Sequence, residues 1–262
     1  MRMEDLDHPR DKPGAAAEAI ADLKWLGFEW DEECVQSERK ALYREALGKL
    51  DAYPCVCSRK DVESAQSAPH AGEQLHYGGK CRGKFGSWRE ACEALGDGRL
   101  PCWRFRTPEN SRVEFVDAFV GCYAQDVGAT LGDFPLARDE FGAGYTLACT
   151  VDDLASGVTE VVRGDDLLPA TPAQILVARA LGGTPPDYCH VPLVVGRDGK
   201  RLAKRHGDTR IRAFREAGKT PEELIGLLAF SCGWAEAEER VALADLIERF
   251  DLSTIPREPF MI

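Results

Sequence analysis

No stretch of this 262-residue chain comes near the roughly 20 consecutive apolar residues that a bilayer-spanning helix needs. The start lacks a charged region leading into an apolar one, so no export signal is legible and the cytoplasm is the expected compartment. No internal repeat is visible. Surplus positive charge is lacking as well: 33 Lys and Arg face 44 Asp and Glu, for a net charge of −11. That balance argues against broad electrostatic attraction to nucleic acid. Without a secretion signal, the ten cysteines are not expected in disulfides, and any clustering among them points to metal. What is present is ordinary globular material, 44% hydrophobic and 29% charged, enough for one large domain or a domain carrying an insertion.

The chain begins as though inside a strand, with Met1 to Asp7 alternating apolar and polar residues. Helical spacing of Ala19, Ile20, Leu23 and Leu26 predicts a helix over 14–26, stopped by Gly27. A second helix is predicted over 37–50, with Leu42, Ala46 and Leu50 on its inner stripe. From Tyr53 to Lys84 periodicity fades into Cys, Gly, His and Pro, as in an inserted knob. Strand-like alternation returns at Trp103 to Arg106 and Val113 to Val116, then at Phe134 to Leu136 and Tyr145 to Leu147. The β-branched run Val158 to Val162 ends in Arg163-Gly164. Thr171-Pro172-Ala173-Gln174 and Thr220-Pro221-Glu222-Glu223 each read as a capping box with proline in the first turn. A last amphipathic helix is expected over 241–250. The order of strands and helices in both halves, with an irregular middle, predicts an α/β fold with an insertion.

Four features carry chemistry. Val191 to Val195 reads as a short buried strand feeding a tight turn at Asp198-Gly199. Beyond it, Arg197, Lys200, Arg201, Lys204 and Arg205 put five cations within nine residues. Such a loop suits a polyanion whose charge moves during reaction, although a solvated basic hairpin has the same composition. It also makes a local positive face on an acidic body. Cys55 and Cys57, with Cys81 downstream, supply three thiolates, and a closed tetrahedral zinc site needs a fourth ligand. His76, Tyr77 and the more distant His70 are the candidates, and imidazole is the usual choice. The remaining seven cysteines read as small core residues. Glu4, Asp5 and Asp7 lie where a strand ends, the edge at which open α/β sheets bind ligands, and a carboxylate there can hold an ammonium. Arg163 ends an apolar strand, where it can grip a planar carboxylate with two hydrogen bonds or pair with Asp152, Asp153 or Asp165. Tyr145 can line the same pocket or sit in the core. A cation for a carboxylate, an anion for an amine and a basic loop for phosphates together describe amino-acid activation by ATP.

These residues resemble the catalytic part of the glutamyl-type class I aminoacyl-tRNA synthetases over nearly the whole chain, and most of all their short paralogous branch, the glutamyl-queuosine tRNA(Asp) synthetases. The resemblance rests on Arg2-Met3-Glu4-Asp5-Leu6-Asp7 with Arg10, and on Trp25-Leu26-Gly27-Phe28 ahead of Trp30-Asp31. It also rests on Cys55-Val56-Cys57-Ser58-Arg59 with Tyr77 and Cys81, and on Val161-Val162-Arg163-Gly164 leading to Asp166-Leu167-Leu168 and Thr171-Pro172. Arg201-Leu202-Ala203-Lys204-Arg205 occupies the place of the KMSKS-type loop. Leu167 and Leu168 match the short branch, where the longer synthetases tend to carry a histidine.

The resemblance implies a Rossmann-like parallel sheet with an inserted zinc-held subdomain and C-terminal helices. It implies activation of glutamate by ATP without tRNA, with Mg2+, and transfer to queuosine at the wobble position of tRNA(Asp). Glu4 would hold the glutamate amino group, Tyr145 would line the pocket, Arg163 would grip a carboxylate, and Lys204 would contact the ATP phosphates. Cys55, Cys57, Tyr77 and Cys81 would ligate one structural zinc, the family pattern favouring Tyr77 over His76. A monomer away from membranes is expected. The boundaries implied are 1–52 for the start of the catalytic domain, 53–84 for the zinc insertion and 85–130 for a connective insertion. The second catalytic half follows over 131–218, and a helical segment over 219–262. Two departures stand out. Ala173 replaces an arginine common among relatives, and the family's first strand with its HIGH-type ATP signature is expected ahead of Met1, since none of the five histidines sits in such a sequence. The short C-terminal segment matches the short branch, which carries no anticodon-binding domain. A fragment charging tRNA(Glu) and a non-catalytic tRNA-binding module are the competing expectations.

Overall fold

A computed structural model describes residues 1–6, 14–65, 75–96, 98–140, 142–200, 202 and 210–262. In chain order its elements are β1 (Arg2–Met3), α1 (Ala15–Trp25), β2 (Cys34–Val35), α2 (Lys40–Lys49), β3 (Ala52–Cys55), α3 (Arg59–Ala65) and α4 (Trp88–Leu95). There follow β4 (Cys102–Phe105), β5 (Arg112–Asp117), β6 (Gly121–Asp126), α5 (Val127–Thr130), β7 (Pro135–Ala137), α6 (Tyr145–Ala155), β8 (Glu160–Gly164) and α7 (Thr171–Ala180). The last are β9 (Asp187–Val191), β10 (Val194–Val195), α8 (Ile211–Glu216), α9 (Pro221–Ser231), α10 (Leu246–Arg249) and β11 (Phe260–Met261). The expected α/β class holds. The contacts divide the chain into two compact units. One comprises Met1–Cys34, Arg163–Asp166 and His190–Ile262; the other comprises Val35–Val162 and Leu167–Cys189. No described helix is long and apolar enough to cross a membrane.

In the second unit, β3, β4 and β7 form an antiparallel sheet in that order. β5 and β6 make an antiparallel hairpin, and β5 also pairs in parallel with β9 through Asp117 and Tyr188, within a sheet ordered β6-β5-β9-β8. The helices α2, α6 and α7 pack together. Residues Leu147 to Asp152 of α6 are all buried, so the middle of this helix has no solvent-facing side. That explains a failed expectation. Tyr145 to Leu147 opens a helix, not a strand, because a short apolar run with β-branched residues has no period to distinguish the two. The fully buried Asp152 accepts hydrogen bonds from Gln36 Nε2 and Tyr43 Oη, both at 2.8 Å, and pairs with Arg39 at 3.1 Å.

In the first unit, Leu26, Leu224, Ile225 and Val241 form a core joined by Trp25, Ile211 and Phe214. Gly27 stops the α1 segment with φ +91, a left-handed angle that glycine adopts without strain. On α1 the predicted Ala19 is exposed, and the buried residue is Asp22, paired with Arg215 on α8 at 3.2 Å. Thr220 caps α9 as predicted: its side chain accepts from the Glu223 amide while the Glu223 carboxylate accepts from the Thr220 amide. Thr171 does not cap. It is the first residue of α7, with Ala170 at the cap, and its hydroxyl donates to the Leu167 carbonyl at 3.2 Å. The predicted helix over 241–250 shrinks to a 3-10 turn over Leu243–Asp245 and the four-residue α10. The apolar run Val191 to Val195 is split between β9 and β10, since Pro192 has no amide to give the ladder. Asp198-Gly199 turns as expected, with Gly199 at φ +69 and the Gly196 amide donating to the Lys200 carbonyl at 2.9 Å.

Candidate metal centre and substrate residues

The strand β3 ends at Cys55, and the chain turns into α3 just past Cys57, so two thiols project from one corner. The Cys55, Cys57 and Cys81 sulfurs all lie within 4.8 Å of one another and could hold a metal ion. Tyr77 stands beside them, its hydroxyl 3.3 Å from the Cys55 sulfur and 3.8 Å from that of Cys57, while Cys57 and Cys81 stand 3.6 Å apart. A tetrahedral zinc with sulfur ligands at roughly 2.3 Å has edges of about 3.8 Å, so this donor set fits. The amide of Cys81 donates to the Tyr77 hydroxyl at 2.8 Å and fixes it there. His76 is turned elsewhere, its Nε2 donating to the Gly128 carbonyl at 3.1 Å. His70 lies outside the described residues.

Tyr77 is held from behind by Gly132, with which it forms a parallel bridge. Gly132 sits at φ +63, and a Cβ there would collide with the Tyr77 carbonyl, so only glycine fits. Next to it, the buried Asp133 accepts from Arg82 through both oxygens, from the Tyr53 hydroxyl, and from the Thr107 amide at 2.9 Å. Arg82 adjoins Cys81, so this carboxylate anchors the turn that carries the third thiol. Burial alone would raise its pKa, but the bonds from Arg82, Tyr53 and Thr107 outweigh burial and hold it below the usual carboxylate value. Its contribution to stability is therefore present above the unfolded carboxyl value of about 4 and is lost as pH falls through the lower folded value. Asp133→Asn should lower the melting temperature by a constant amount from neutrality to about pH 4, and by less below it. A difference that stays the same in acid would refute this linkage.

Among the sulfurs read as core, Cys149 is buried, but Cys122 is exposed and Cys102 packs against the metal cluster. Cys102 lies directly across the ladder from Cys55. Hydrogen bonding from Cys102 leads the effects that lower the Cys55 pKa, against burial and with help from Tyr77 and Arg104.

The residues expected to bind substrate divide between the two units. Glu4 follows β1 and pairs with Arg2 at 3.0 Å, its side chain 43% exposed. Arg163, near the end of β8, donates from Nε to His190 Nε2 at 3.0 Å. His190 is fully buried on β9, and an imidazole nitrogen that accepts from a guanidinium carries no proton. The suggested Arg163–Asp152 pair does not form, since Asp152 is taken by Arg39, Gln36 and Tyr43. A Cβ on Gly164 would stand 2.6 Å from the end of the Leu193 side chain, which would have to shift to admit it. Glu4 and Arg163 belong to the first unit and Tyr145 to the second. Tyr145 is 44% exposed, so the core reading of that residue fails. Lys204 lies outside the described residues, as do Asp7 and Arg10. Sequence reasoning missed Arg104, Asp133 and His190, and it named Asp152 only as a partner for Arg163. For Arg104 the available signal was a charge inside the alternating run Trp103 to Arg106.

The fold and the cysteine–tyrosine cluster agree with the family assignment. The chain belongs to the tRNA synthetases class I (E and Q), catalytic domain, whose model matches residues 1–260. It is 45% identical to the Glutamyl-Q tRNA(Asp) synthetase of Symbiobacterium thermophilum, covering 100% of this chain and 84% of that protein. It is 43% identical to the protein of the same name from Rhodopirellula baltica, covering 100% and 85%. Among solved structures, the glutamate-tRNA synthetase of Elizabethkingia anophelis superposes with a TM-score of 0.77 at 25% identity. This chain spans 60% of that longer protein.

Proposed function

We propose that this chain activates glutamate with ATP, without needing tRNA, and transfers it to queuosine at the wobble position of tRNA(Asp). The observation that carries this reading is the 45% identity to a Glutamyl-Q tRNA(Asp) synthetase across 84% of that protein. In the first step a glutamate carboxylate oxygen attacks the α-phosphorus of ATP, the bond to the β-phosphate breaks, and pyrophosphate leaves. In the second a hydroxyl of queuosine attacks the acyl carbon and AMP departs. Arg163 grips a glutamate carboxylate and Glu4 holds the ammonium, with Tyr145 lining the pocket. Lys204 offsets the charge that builds on the departing phosphates, where Mg2+ bound with ATP would supply further positive charge. Cys55, Cys57, Tyr77 and Cys81 would hold one zinc ion, which supplies a structural crosslink when bound.

The test is glutamate-dependent ATP–pyrophosphate exchange in the absence of tRNA, followed by transfer of labelled glutamate to tRNA(Asp) with and without queuosine. Exchange without tRNA, and label only on the queuosine-containing tRNA, are expected. Label at the 3′ end of tRNA(Glu) would replace this reading with tRNA charging. Binding of tRNA with no exchange would leave only a binding module.

A further inference from the structure

Arg104 is buried, with 8% of its surface exposed, yet none of its hydrogen-bond partners among the described residues is a carboxylate. Its Nε donates to the Cys55 sulfur at 3.2 Å, and its Nη1 donates to the Asp133 backbone carbonyl at 2.8 Å. Its guanidinium carbon lies 3.9 Å from the centroid of the Tyr77 ring. A guanidinium stays charged at any pH the fold survives, and a buried charge needs a counter-charge. The anion within reach is the thiolate set. Three thiolates around a divalent cation leave a net negative charge, which one guanidinium cancels.

We propose that Arg104 is the positioning residue of the metal centre. It holds Tyr77 by its ring face and Cys55 by its sulfur in one arrangement, and it neutralises the surplus charge of the loaded site. The device is built from the back. Arg104 faces Tyr53 across the β3–β4 ladder, and Tyr53 binds the Asp133 carboxylate while Arg104 binds the carbonyl of that same residue. One strand therefore delivers the cation, and a neighbouring buried carboxylate secures the strand and the Cys81 turn together. Partners of this kind, one step out from the ligands, typically contribute about 10–100-fold in metal affinity. Lysine does not replace arginine here, because an ammonium cannot stack flat on the ring while also bridging a sulfur and a carbonyl.

This inference rests on the zinc reading of the cysteine–tyrosine cluster, and its test separates the two. The full chain, R104K and R104M are loaded with zinc. Bound metal is counted by elemental analysis, affinity and release are followed by competition with a chromophoric chelator, and melting is recorded for loaded and stripped forms. One zinc per chain is expected in the unaltered protein. R104M should bind about 10–100-fold more weakly, release faster, and show a smaller rise in melting temperature on loading. R104K should fall between. If R104M melts lower when stripped but keeps its affinity and its zinc-induced rise, Arg104 is only a packing residue and the proposal falls. If R104M does not fold, R104K decides: an affinity equal to that of the unaltered chain overturns the proposal. An unaltered chain that retains no zinc overturns both the zinc reading and the role of Arg104.

Discussion

Arg163→Ala is expected to lower kcat/KM for glutamate in tRNA-independent exchange by about 100-fold. Truncating one partner of a buried, hydrogen-bonded charge pair costs about 2–5 kcal/mol, and each 1.4 kcal/mol is tenfold. The lower part of that range applies, because the rest of the substrate stays held. Arg163 is suited to the role by its surroundings. It lies near the end of a strand, its Nε is committed to a buried neutral histidine, and the following glycine lets Leu193 pack close. A guanidinium fixed at Nε presents its fork in one plane, which is what two-pronged binding of a carboxylate requires. Arg163→Lys should recover part of the loss by keeping the charge without the fork. Exchange rates measured across glutamate concentrations decide the matter. An Arg163→Ala protein with unchanged kcat and KM would remove this residue from the glutamate site.

Asp152→Ala should destabilise the second unit by about 3–5 kcal/mol, the usual effect of removing one partner from a buried ion pair. Its carboxylate is fully buried and receives three groups, from Gln36, Arg39 and Tyr43. Deleting it removes the carboxylate that Gln36, Arg39 and Tyr43 share, and Gln36 and Tyr43 are themselves buried. Asp152→Asn should cost less, since one oxygen and the shape remain, but the charge opposite Arg39 is lost. Chemical denaturation with the helical signal as readout checks both variants. A midpoint for Asp152→Ala within error of the parent would mean that this carboxylate contributes nothing to the α2–α6 junction. The residue sits outside the cluster of thiols, so the zinc content of the folded fraction should not change.

The features legible beforehand are those whose partners are close in the chain. The capping box at Thr220 and Glu223 and the turn at Asp198-Gly199 are local contacts, and both formed as read. The pair Cys55 and Cys57 signalled, for the same reason, a cluster that could hold metal. Failures followed from the same rule. Val191 to Val195 looked continuous until Pro192 divided it, and Tyr145 to Leu147 carried no period by which the start of a helix could be told from a strand.

By itself the sequence determined the α/β class, the family, and the residue types that could hold metal, carboxylate and phosphate. Only the tertiary structure chose among them. Neighbours in an extended stretch project to opposite sides, so His76 went to the Gly128 carbonyl and Tyr77 to the sulfurs, a choice that composition could not make. Arg104 meets Cys55, Arg82 meets Asp133, and Arg39 meets Asp152, each across a long separation in sequence. Each pair contains a buried charge, that of Arg104, Asp133 or Asp152. A buried charge is stable only where a second element brings its partner, and no local pattern of residues states which element that will be.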